Sequence, residues 1–169
     1  MRRPRKSKSK TRRLKVIRLW NYPEAASATP YLRSVMASLR THYLDSLRLR
    51  LSIDRLSEKK ATRETLIAID DARKELDHSQ DAFKDNHREL RKIDIFLLDP
   101  LEGVALIPCQ HNEELAWMVF EQFDKKGLVG WRWHKDDMDV RRPMKDFPSE
   151  ANATIAAPEA TPPAPPAQA

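Results

Sequence analysis

An α+β fold is predicted for this chain: a long antiparallel two-helix hairpin carrying a small three-stranded antiparallel sheet. Three observations point there. Two stretches, Pro30 to about Ser57 and Arg63 to about Ile93, place apolar residues at three- and four-residue steps. Three strand-length apolar segments follow Asp99-Pro100, separated by turn-type residues. Both ends of the 169-residue chain have the composition of tails rather than of a packed body.

Residues 1–13 are expected to be a disordered basic arm, because Met1 is their only large apolar side chain. Residues 14–147 form the single domain, with the hairpin at about 23–93 and the β meander at about 103–134. Residues 14–20 (Leu-Lys-Val-Ile-Arg-Leu-Trp) are β-branched and aromatic enough for a short strand. Asn21 then suits a helix N-cap, and Pro23 is tolerated in a first turn. Pro30, preceded by Thr29, predicts a break between a short helix and a long one.

Within the long helix Leu32, Val35, Met36, Leu39, Tyr43, Leu47 and Leu51 share one face, and Leu44, Leu49, Ile53 and Leu56 broaden it. Lys59 and Lys60 suit its C-terminus, and Thr62 the next N-cap. The second helix places Leu66, Ile69, Ala72, Leu76, Phe83, His87 and Leu90 on one face. Neither Gly nor Pro marks the connection. The antiparallel hairpin, a coiled-coil-like pairing, is favoured over one continuous rod because it buries both stripes. Apolar surface left over must meet the C-terminal part or a second copy of the chain.

The strand segments are Gly103–Pro108, Leu115–Phe120 and Leu128–Trp133, with turns at Gln110-His111-Asn112 and Asp124–Gly127. The middle segment lacks polar alternation, so a short helix is its alternative. Residues 148–169, rich in Ala and Pro, are expected to be a disordered tail.

The charge is unevenly laid out. Ten of the 31 Lys and Arg residues lie in residues 1–20, which hold no acid. The other 21 face 25 Asp and Glu, so residues 21–169 carry about −4. Arg2, Arg3, Arg5, Lys6, Lys8, Lys10, Arg12 and Arg13 are therefore the candidates for sequence-independent nucleic-acid contact. A solvated, solubilising extension is the competing reading. No secretory signal or run of about eighteen apolar residues occurs, so a cytoplasmic protein without membrane contact is expected. The Arg- and Ser-rich start leaves a transit peptide open. One cysteine, Cys109, provides neither an internal disulfide nor a Cys-based zinc site. Three glycines provide no phosphate loop.

The densest chemistry lies at Gly130–Pro143. Trp131 and Trp133 alternate to one strand face and are expected to close the core, with Arg132 and His134 turned the other way. His134 with Asp136, Asp137 and Asp139 suits a divalent metal or an acid–base pair, needing help from His42 or His87. The structural alternative is a strand-end histidine beside a solvated acidic turn. Arg141 and Arg142 could clamp an anion, or pair with one of these Asp residues and tie down the last turn.

Three blocks resemble a family of small bacterial proteins of unknown function: Tyr22–Ala26 with Pro30-Tyr31-Leu32, Leu98–Pro108, and Trp133-His134 through Arg141-Arg142-Pro143. The resemblance implies a helical hairpin with a small C-terminal β element in a bacterial, cytoplasmic setting; it supplies no activity, cofactor or catalytic residues. The leading expectation is a non-catalytic interaction or scaffold protein, a homo-oligomer through its hairpin. Alternatives are nucleic-acid binding through the arm and a metal-assisted enzyme centred on His134.

Overall fold

The computed structural model describes residues 16–147; the expected basic arm at 1–13 and Ala/Pro-rich tail at 148–169 lie outside the described residues. Helix α1 spans Tyr22–Ser57 and α2 spans Arg63–Lys92. Four strands follow, β1 Phe96–Asp99, β2 Val104–His111, β3 Glu114–Glu121 and β4 Leu128–Trp133, then a 3₁₀ turn at Met144–Asp146.

Asn21 caps α1 as expected. Its side chain accepts from Glu24 N, and Glu24 returns the bond to the Asn21 backbone, satisfying two orphan donors reciprocally. The expected break at Pro30 does not occur. Pro30 and Ala26, whose carbonyl loses its donor, are both exposed, so water can satisfy that oxygen. Thr29 Oγ1 donates to Ala25 O at 3.3 Å beside the gap. Ala25 on one side of the proline and Leu32, Val35 and Met36 on the other enter the same core, so packing overrides the local preference.

Thr62 caps α2 by accepting from Thr65 N. The helices run antiparallel, joined across their seam by Asn86 Nδ2 donating to Ser38 Oγ (2.9 Å) and by Tyr43 against Phe83. Asp94, with φ 57°, then turns the chain into β1.

The sheet is an antiparallel meander in the order β1-β2-β3-β4, one strand more than expected. Strand β1 is four residues long and leaves the helix through an aspartate rather than a glycine, so no sequence punctuation announces it. The β2–β3 turn is a two-residue hairpin with positive φ at Asn112 (46°) and Glu113 (64°). The expected strand at 14–20 is not seen in its described part. Trp20 N donates to Pro108 O (2.8 Å) and Trp20 Nε1 to Ile93 O (3.1 Å), which stitches this segment to β2 and to the end of α2.

The inner face of the sheet (Ala105, Ile107, Cys109, Ala116, Met118, Phe120, Leu128 and Trp131) shares one core with the first half of α1 and with Leu90 of α2. The other face carries its own cluster, in which Val104, Leu106, Trp117 and Val119 meet Phe96 and Leu98. With apolar residues on both faces, β3 shows no polar alternation, which accounts for the ambiguity of its sequence.

Candidate functional site

The Gly130–Pro143 run folds back on itself. Trp131 is buried in the core and Trp133 packs beside it, their rings edge-on at 5.0 Å. Arg132 and His134 lie on the opposite face, as alternation requires. Arg132, however, is only 4 % exposed. Its guanidinium donates to Asp136 O (2.7 Å) and reaches Met138 Sδ (3.0 Å), so the loop after β4 wraps around it.

Asp136 is the centre of this loop. It accepts from the Trp133 backbone N–H (2.7 Å) and from both terminal nitrogens of Arg142, a fork that fits a carboxylate. The hydrogen bond and charge of Arg142 hold the Asp136 carboxyl below the usual carboxylate range, and Arg142 is raised in return. Arg141 is engaged separately, donating to Met138 O (2.6 Å) and pairing with Glu121 (3.4 Å).

The backbone of Arg142 also bridges Trp131 in antiparallel fashion. Gly130 permits that approach, because a Cβ there would lie 2.6 Å from Arg142 O. Both arginines are therefore spent on the chain itself. Asp137 and Asp139 are exposed and do not join Asp136.

His134 is exposed, and its Nδ1 accepts from Trp117 Nε1 at 3.0 Å. That bond selects the Nε2-protonated tautomer and turns the ring onto the sheet. Neither His42 nor His87 converges with it: both lie in the hairpin, and the His87 ring lies tilted against Phe83 at 6.3 Å. Among the described residues no group of three or more His, Cys, Asp or Glu side chains is placed to hold a metal ion. Of the predicted residues, the fold thus brings together Asp136 and Arg142 and keeps His134, Asp137 and Arg141 apart from that pair. The basic-arm candidates lie outside the described residues.

Two arrangements escaped the sequence reading. His111, in a segment whose composition suggests a turn, ends β2 inside an aromatic box of Trp131 (4.6 Å), Trp133 (4.9 Å) and Phe147 (5.6 Å). Its neighbours are remote in sequence, so no local signal exposes it. The second is the contrast along the hairpin. No residue from Arg50 to His78 is buried, whereas Leu32, Met36, Leu39 and Leu90 nearer the sheet are fully buried. Leu51, Leu66 and Ile67 are 57, 58 and 53 % exposed.

Protein-family models, curated proteins and solved structures yield no match to this chain. The resemblance noted above therefore rests on its three blocks alone. Among the described residues no helix is long and apolar enough to cross a membrane.

Proposed function

We propose that the protein is a non-catalytic interaction or scaffold module that self-associates through the distal half of its hairpin. The observation that carries this reading is the helical tip without a core. Two long helices there have only each other to pack against. Leu47 and Leu51 sit one turn apart on α1, and Leu66 and Ile67 open α2, all facing water. Exposed apolar side chains grouped on one element are a mark of interaction surfaces.

Charge favours a second copy as the occupant. From Leu47 to Ser57 the tip of α1 carries three arginines against one aspartate, while residues 63–78 of α2 carry five carboxylates against three cations. Two hairpin tips packed antiparallel about a two-fold axis would set the positive α1 of each against the negative α2 of the other. A four-helix arrangement would also bury the exposed leucines.

Sedimentation velocity on the full chain tests this. A concentration-dependent rise toward twice the monomer mass is expected, lost in a Leu51→Glu/Ile67→Glu variant that keeps its helical circular dichroism. A strict monomer at high concentration would refute it.

A second reading draws on the ten Lys and Arg of residues 1–20, a stretch that holds no acid although Arg18 pairs with Glu24: sequence-independent nucleic-acid binding through residues 2–18. It expects affinity to fall with salt at a slope of about −0.9 per phosphate contacted on duplex DNA. Unchanged affinity after deletion of residues 1–13 would eliminate it.

A further inference from the structure

At the opposite end of the hairpin from the tip, the start of α1, the β3–β4 turn and the 3₁₀ turn enclose a groove of about 860 Å³. Its floor is apolar, formed by the buried Leu128 and Phe147 with Met144. Its rim is basic: Lys125, Lys126 and Lys145 are all exposed along it. Among the described residues no carboxylate lines it.

Lys125 and Lys126 are presented by a turn that is held in place, and Lys145 by the 3₁₀ turn. Arg33 of α1 donates to Asp124 O and Lys125 O (2.6 Å each) and to Gln122 O (3.4 Å). The Asp124 carboxylate on the same turn accepts from the Lys126 backbone N–H at 2.7 Å. Gly127, with φ 78°, seats the turn on α1; a Cβ there would meet Thr29 Cγ2 at 2.6 Å.

Several cations elsewhere on the chain are neutralised by neighbouring carboxylates. Lys74, Lys84 and Arg88 pair with carboxylates three or four residues away, and Arg142 pairs with Asp136. Among the described residues Lys125, Lys126 and Lys145 have no such ion pair. Three ammonium groups around an apolar floor match a ligand with a negative head and an apolar body. The groove's size is within the usual range of ~300–1,000 Å³ for small-molecule sites.

We propose that this groove binds an amphipathic organic anion, a phosphate monoester or carboxylate on an alkyl or aryl body. The lysines supply point charges to the head, and Leu128, Met144 and Phe147 receive the body. The site is independent of self-association, since it lies at the base of the hairpin.

The test is titration of the full chain, followed by NMR amide shifts, with octyl phosphate, octanoate, inorganic phosphate and the neutral octyl glucoside. Saturable shifts at Lys126, Gly127 and Met144 are expected with octyl phosphate or octanoate, and whichever binds more tightly names the head group. Inorganic phosphate should bind at least about tenfold more weakly, because it lacks the body. A Lys125→Glu/Lys126→Glu variant, altered only at exposed positions, should keep its circular dichroism and lose at least about tenfold in affinity. Equal binding of octyl glucoside, unchanged affinity in the variant, or absence of groove shifts with both anions would overturn the proposal. So would groove shifts with a short single-stranded oligonucleotide and none with the alkyl anions.

Discussion

The two ends of the helical hairpin share an apolar stripe at helical spacing and differ in their physics. At the base, α1 lies against the sheet, and Leu32, Met36 and Leu39 are fully buried with Met118 and Phe120. At the tip, leucines with the same spacing are half exposed, because nothing but the neighbouring helix covers them. A stripe at helical spacing therefore establishes which face is apolar, not what meets it. The base needs nothing more; the tip has surface to spare.

Core substitutions at the base should mark the contrast most strongly. Trp131→Ala and Leu39→Ala are each expected to cost about 3–5 kcal/mol in urea unfolding, through lost burial and the cavity left behind. Losses near those of exposed sites would mean that sheet and hairpin are loosely joined.

Thiol labelling sharpens the same point. Burial pushes the Cys109 thiol up to about 12, away from its reactive thiolate form. Native Cys109 should react at least about 100-fold more slowly than a free thiol and catch up only on unfolding. Fast labelling in native buffer would show that the base opens readily.

The Asp136–Arg142 fork predicts a pH dependence. The folded carboxyl is depressed, so its contribution is complete above the unfolded value of about 3.9 and is lost as pH falls through the folded value. The melting temperature of the natural chain should drop on acidification toward about pH 2 more steeply than that of Asp136→Asn. Asp137→Asn, at an exposed position, should behave like the natural chain. Identical acid profiles for all three would remove the fork from the account.

The smallest effect belongs to the tip. At concentrations where the chain is monomeric, Leu51→Ala should change stability by no more than about 0.5 kcal/mol. A cost comparable to Leu39→Ala would show that Leu51 is covered within one chain.

The hairpin was legible because 3.6-residue periodicity is strong over helices this long, and their caps use Asn21 and Thr62 in the usual way. Pro30 misled, since its local cost is met by solvent and overridden by the core. Strand β1 was hidden by its length and by an exit through Asp94. At the candidate site, strand alternation correctly separated Trp131 and Trp133 from Arg132 and His134, and an Asp–Arg tie across the last turn was foreseeable. That Arg142 takes Asp136 while Arg141 turns to Glu121 depends on the path of the loop, which no local pattern encodes. The groove was equally invisible. Lys125 and Lys126 stand on a turn anchored by Arg33, remote in sequence, and meet Lys145 of the 3₁₀ turn only through the tertiary fold.

Hydrogen exchange along the hairpin, measured across protein concentrations, tests self-association through the tip most directly. Base amides around Leu32–Leu39 should be protected at every concentration, and those of residues 50–78 should gain protection only as concentration rises. Tip protection that is high and independent of concentration would contradict the account, as would a tip that stays unprotected in the most concentrated sample.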